Sequence, residues 1–411
     1  MANRETQGAF MQVRIKKPVY LDYNATTPHA PEVIAVMRPY LDEHFGNPSS
    51  SHWYGIQTKN AVERARSQVA SLLQCQPKEI VFTSGGTESN NYALKGTAFA
   101  LYDKGNHIIT TQIEHPAVIE VCKFLEKHNF KVTYLPVNEY GLLNISDVEK
   151  AITPQTILIT TMHANNEVGT IQPIEQISQI AEKQRIIMHT DAAQSVGKIP
   201  INVDVMGIDL LSIAGHKLYA PKGIGALYIR KGTGLAKFIQ GAGQEQERRA
   251  GTENILGIVG LGKACEVVEC EMEKNISHMK MMRDTLHNGL IKKLHKELGD
   301  RSEEVKLNGH PEKRLPNTLN VSFKNIEANN LLSEIKDNVA ASAGAACHSG
   351  GIEVSSVLKA MNVPEEWARG TVRFSTGRMT TKKEIEKAIN IISDTVLRIR
   401  RKRNGKSTKI A

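Results

Sequence analysis

The chain has 411 residues, 40% of them hydrophobic and 23% charged, the make-up of a globular protein with a large buried core and length enough for two domains. No apolar run reaches the roughly 18 residues of a bilayer-spanning helix, and the opening residues, which include Glu5, lack the apolar centre of a secretory signal. The net charge of +9 is concentrated, because the tail from Arg398 onward carries seven basic residues and no acid, leaving +2 for the rest; this reads as a solvated, disordered tail and argues against a nucleic-acid partner.

Five cysteines (Cys75, Cys122, Cys265, Cys270, Cys347) are too scattered for a disulfide framework or a C-x-x-C metal site. They suit free thiols in a reducing, cytoplasmic compartment. The first four read as small core residues. Cys347 stands apart, among Ala, Gly and Ser in ASAGAACHSGG.

In chain order, EIVFTS (79–84) reads as a strand entering a glycine turn and a helix. HIITTQIEH (107–115), TILITTMHA (156–164), RIIMHTD (185–191), LLSIAGH (210–216) and GALYIR (225–230) read as further strands. Stretches with apolar residues three and four apart lie between them and predict helices. Alternation of this kind predicts βαβ units and a mainly parallel sheet. After about residue 272 a long charged amphipathic helix (near 273–298) leads to TLNVSF and TVRFSTG. The expected division is a large domain over 30–272, a smaller α+β domain from 1–29 and 273–397, and the tail 398–411.

Three features carry chemistry. SGGTESNN (84–91) combines a Gly-Gly turn with a helix start, whose free N–H groups and positive dipole end suit a phosphate. Asp191, at the end of an apolar run, needs a cationic or hydrogen-bonded partner to stay charged, and a protonated pyridine nitrogen is one. Lys217 follows another buried run, where its amine is costly to desolvate unless it serves as a Schiff-base lysine; His216 beside it can reach a phosphate oxygen. Taken singly these are a helix cap, an N-cap and a surface loop. In this order, at successive strand ends, they are what a pyridoxal-phosphate site requires.

The chain resembles the class V aminotransferase branch that contains cysteine desulfurases of the NifS and IscS types and selenocysteine lyases. The likeness rests on YLDYNATTP (20–28), GNPSS (46–50), TSGGTESNN (83–91), EHPAV (114–118), HANNEVGTIQP (163–173), HTDAAQSVGKIP (189–200), GHKLYAPKGIGALY (215–228), RRAGTEN (248–254), SAGAACHSG (342–350) and VRFSTGR (372–378). It implies an α/β protein of pyridoxal-phosphate fold type I, with a seven-stranded, mainly parallel sheet and a smaller α+β domain, acting as a homodimer. Lys217 would carry the cofactor and Asp191 would hold its ring nitrogen. His115 would stack on the ring and move protons, and Asn166 and Gln194 would face the ring's phenolic oxygen and the substrate. Gly86, Thr87 and His216 would hold the phosphate, with Thr252 reaching across from the second subunit. Arg373 would grip the substrate carboxylate. Cys347, with His348 adjoining, would accept sulfur from L-cysteine as a persulfide on a mobile loop, leaving L-alanine, for onward supply to acceptor proteins, iron–sulfur clusters or tRNA thiolation.

Three details point elsewhere. Position 214 is Ala where the IscS type has a phosphate-binding serine. Ala214, GAACHS and GQEQERRAGTEN instead resemble selenocysteine lyases, which would take L-selenocysteine. An ordinary class V aminotransferase would share Lys217 and Asp191 but would have no use for Cys347.

Overall fold

A computed structural model describes residues 17–298, 304–348 and 351–407, and side chains within these apart from 345–353 and 403–407. A short strand, β1 (Val19–Tyr20), precedes the first helices. Seven strands then follow: β2 (Ile80–Thr83), β3 (His107–Thr111), β4 (Lys131–Leu135), β5 (Thr156–Thr160), β6 (Ile187–Asp191), β7 (Leu210–Ala214) and β8 (Gly225–Ile229). They form one sheet in the order β2-β8-β7-β6-β5-β3-β4, parallel except for β8, which runs against both neighbours. Every residue of β2, β3, β5, β7 and β8 is buried, as the continuous Ile, Leu, Val and Thr runs of a sheet covered on both faces require.

Sequence reading placed six of these strands and missed β4. Its Lys131 is exposed and its next three residues are only half-buried, because β4 is the sheet's edge. A polar edge strand lacks the apolar run that marks its neighbours.

The second sheet comprises β9 (Val305–Asn308), β10 (Thr318–Phe323), β12 (Ser342–Ala343) and β15 (Thr371–Ser375), antiparallel in the order β12-β15-β10-β9. Between β10 and β12 lies β11 (Val339–Ala340), which pairs with β1. β13 (Ala345–His348) and β14 (Gly351–Val354) form an antiparallel hairpin. The helices Met272–Leu298 and Lys382–Ser407 build a separate core with this second sheet. Val19 and Leu21 join Leu286, Leu290, Val321 and Phe374 there, so the N-terminal segment packs with the C-terminal third of the chain.

Two expectations need correction. The tail from Arg398 continues as helix to Ser407, since Arg398 and Lys402 both reach Glu334 and Arg400 reaches Glu304 at 2.8 Å. Of the four cysteines expected in the core, Cys122 and Cys265 are buried, Cys75 is only partly so and Cys270 is exposed.

Candidate active site

The parallel strands bring their carboxyl ends to one edge of the large sheet, where ligands bind in such folds. A cavity of about 300 Å³ opens there, with Gly86, His115, Asn166, Asp191, Lys217 and Arg373 among its walls.

The anion end is built by the turn after β2. Gly85 has φ 153°, a conformation that side chains disfavour. It lets the Gly86–Ala100 helix start abruptly at the sheet edge. The first bond into that helix turn is donated by Ser89 to the Gly85 carbonyl, at 3.0 Å. The N–H groups of Gly86, Thr87 and Glu88 precede it and have no helical partner. Glu88 does not cap them itself, being held by Ser84 N and by Arg249 at 2.9 Å. Ala214 abuts this turn, its Cβ 3.1 Å from where a Gly86 Cβ would stand. The hydroxyl missing at 214 thus leaves backbone N–H groups as the principal donors here. His216 lines the same end, and burial, then Lys217, pushes its pKa down to about 4, so it is neutral.

Asp191 is buried. Its Oδ1 accepts from Ala193 N at 2.9 Å and its Oδ2 from Asn90 Nδ2 at 2.7 Å, yet no cation lies within ion-pair distance among the described residues. His115 caps the Pro116–Glu126 helix, its Nδ1 accepting from Ala117 N at 3.1 Å. The neutral ring therefore carries its proton on Nε2. Burial keeps this imidazole below the usual histidine range, against the pull of Asp191.

Lys217 closes a 3-10 turn (Gly215–Lys217) after β7. Its Nζ donates to the backbone carbonyls of Asn24 and, at 2.8 Å, Ala25. Burial, then Arg373, pushes its pKa down to about 8. Gln194 Nε2 donates to the same Asn24 carbonyl at 3.0 Å. The Asn24 side chain is pinned to the second sheet, giving a hydrogen bond to Thr318 Oγ1 at 2.8 Å and taking one from Asn317 Nδ2 at 2.9 Å. Arg373, on β15, donates from Nη1 to the Asn166 carbonyl at 3.0 Å and pairs through Nη2 with Asp22 at 2.9 Å. Its buried Nε has no partner among the described residues.

Most of the expected site residues thus meet in one cavity: Gly86, Thr87, His115, Asn166, Asp191, Gln194, His216, Lys217 and Arg373. Thr252 does not line it; it is exposed in the loop after the Glu245–Glu247 turn. Cys347 was expected on a loop and lies instead on β13, in register with Ile352. Its side chain is outside the described set. Sequence reading assigned no role to Asp22, Asn24 or Asn90. Asn90 falls one helical turn after Gly86 and so shares its face, a signal the spacing does carry. Asn24 and Asp22 lie within YLDYNATTP, but their contacts are with residues hundreds of positions away.

The set of groups fits a phosphorylated pyridine aldehyde. Unpartnered helix N–H groups face the phosphate end, a buried carboxylate lacks a cation, and a lysine amine is tied only to carbonyls.

The family model described as Aminotransferase class-V matches residues 19–388. The chain is 49% identical over 387 residues to the cysteine desulfurase IscS of Dictyoglomus turgidum, covering 94% of this chain and 96% of the relative. It is 47% identical to the protein of that name from Methanosarcina thermophila, covering 93% of each. Among solved structures it resembles a NifS-like protein with a TM-score of 0.84 and 37% identity, over 92% of this chain and 98% of that one. It also resembles SspA in complex with cysteine, with a TM-score of 0.73 and 39% identity, over 88% of this chain and 99% of the other.

Proposed function

The chain belongs to the class-V aminotransferase family, in its NifS- and IscS-like branch, and from that membership we propose that it is a cysteine desulfurase that passes sulfur from L-cysteine to Cys347. Enzymes of this family depend on pyridoxal phosphate. The observation that carries the reading is the amine of Lys217, held by carbonyls alone in a cavity that Asp191 and Arg373 share.

When bound, the cofactor supplies an electron sink conjugated to the carbon that bears the substrate's carboxylate. Asp191 keeps the ring nitrogen protonated, and Asn90 and Ala193 N hold that carboxylate in place. The N–H groups of Gly86 and Thr87, with His216, take the phosphate. Arg373 offers its free Nε–H and a remaining Nη–H to the substrate carboxylate. Lys217 moves the proton at the α-carbon, and His115 holds one on Nε2 over the ring. The Cys347 thiolate then attacks the substrate sulfur. An S–S bond forms, the C–S bond breaks, and its electron pair stays on the substrate carbon, which takes up a proton and leaves as alanine.

The same reading includes a homodimer, with Thr252 completing the neighbour's phosphate site. Phe45 and Trp53, exposed by 74% and 59% and both packed on Tyr54, support it, since a monomer rarely leaves such a cluster open. It also includes a cytoplasmic setting, where thiols stay reduced, and protein acceptors to which a thiol-borne persulfide can pass its outer sulfur.

Purified, cofactor-loaded protein should convert L-cysteine to equal amounts of alanine and sulfide in the presence of a thiol reductant. L-selenocysteine run in parallel reports the preference between the two. Amino-group transfer to a keto acid with no sulfide released would make it an ordinary aminotransferase and sink the proposal.

A further inference from the structure

Behind the cavity lies a second buried lysine. Lys198 is 5% exposed, and no carboxylate among the described residues stands within ion-pair distance of it. The hydrogen bond it makes runs from Nζ to Oε1 of Gln194, at 2.8 Å. A buried lysine without an acid is unfavourable, and an apolar side chain of similar length would suit the place better. Burial, with Lys217 and Arg373 adding to it, holds this amine well below the usual lysine range. Even uncharged, the amine keeps N–H groups to donate.

Gln194 lines the cavity, and which end of its amide faces where follows from its two contacts. One amide atom lies 3.0 Å from the Asn24 carbonyl. A carbonyl only accepts, so that atom is the NH₂ group, and the amide oxygen must face Lys198. The order is therefore fixed from both ends: Lys198 donates to Oε1, and Nε2 donates to Asn24. Lys217 donates to the same Asn24 carbonyl. One hydrogen of Nε2 is engaged there, and the second remains for the cavity.

We propose that Lys198 is a positioning residue that locks the Gln194 amide with its NH₂ toward the cavity, so that the cofactor's phenolic oxygen meets a donor and never an acceptor. Without Lys198, Oε1 would be left buried and unpartnered, and only the Asn24 carbonyl would oppose the amide's turning to satisfy it. The proposal rests on the reading in which the cavity holds pyridoxal phosphate with Gln194 beside that oxygen.

The test is a double-mutant cycle of Lys198→Met and Gln194→Leu, read from the visible absorbance of the cofactor-loaded protein titrated against pH. Loss of the outside donor makes the phenolic oxygen hold the proton it shares with Lys217 more tightly. Lys198→Met should therefore raise the absorbance midpoint by about one pH unit, a tenfold change in that equilibrium. Gln194→Leu should raise it similarly, and the double variant should match Gln194→Leu alone. If Lys198→Met does not fold, Lys198→Gln serves, being too short to reach Oε1, and the same shift is expected. An unshifted midpoint, or an equal further shift on the Gln194→Leu background, would overturn the proposal. A wild type without a cofactor band would fail differently, by removing the premise for every variant alike.

Discussion

The Lys217 amine gives its hydrogen bonds to backbone carbonyls, while Asp22 and Asp191 act on it only at longer range. Burial first, and the Arg373 charge second, bring its pKa to about 8, so part of the population is an uncharged amine near neutral pH. Capture of the cofactor aldehyde needs that form. Uptake by the apoprotein should thus accelerate about tenfold per pH unit up to about pH 8 and level off above it, measured by stopped-flow absorbance. A rate indifferent to pH, or one still climbing toward the ordinary lysine value, would show that the amine is not depressed. The same shift sets a stability trend. Between about 8 and the ordinary 10.5 the unfolded chain binds more protons than the folded one, so this group makes the apoprotein more stable as pH rises through that window and contributes no pH dependence below it. Lys217→Ala should abolish both the cofactor band and turnover. Lys217, Asp191 and His115 were legible in the sequence because each follows an apolar run whose end is a place for chemistry. Asn24 was not, because its partners lie far along the chain, and Lys198 was not, because a lysine after a polar stretch gives no sign of being buried.

At the scale of elements, the loop bearing Thr252 is held by a buried ion pair that pattern reading could not supply. Glu245, Gln246 and Glu247 all have left-handed φ, at 48°, 58° and 64°, which costs free energy for residues other than glycine. Glu245 takes both guanidinium arms of Arg66, at 2.7 and 2.9 Å, and accepts from Phe82 N in β2 at 2.8 Å. Glu245→Ala would leave the buried Arg66 with only the exposed Glu63, at 3.3 Å, as its acid, so it should destabilise the fold by about 3 kcal/mol, with Glu245→Gln milder. Urea denaturation measures this directly, and a change within error would mean that the turn is held by something else. The strands of the sheet centre were readable from their apolar runs, whereas β4 and the β13–β14 hairpin were not. An edge strand lacks the continuous burial that produces such runs, and the AACH segment of the hairpin is too short and too rich in alanine to read as a strand.

For the molecule as a whole, two sheets with separate cores share one cavity, and the N-terminal segment crosses between them through Asn24. In the sequence the pattern of elements changes near residue 272, where the long helix Met272–Leu298 begins. The proposed pairing of subunits draws on surface features, an exposed Phe45 and Trp53, and on Thr252, which is exposed and does not line the cavity. Mixing inactive Lys217→Ala protein with an inactive Thr252→Val variant should restore about a quarter of wild-type activity once subunits exchange, because half the dimers then hold one intact site. No recovery despite exchange shown by sedimentation would place Thr252 in its own subunit's chemistry.

The central claim is that Cys347 takes the substrate's sulfur. One turnover with L-cysteine, without reductant and followed by peptide mass analysis, tests it most directly. The account predicts one added sulfur on the peptide containing Cys347 for each alanine formed, and in Cys347→Ser protein cofactor binding without sulfide release. Sulfide release at the wild-type rate from Cys347→Ser protein would contradict it.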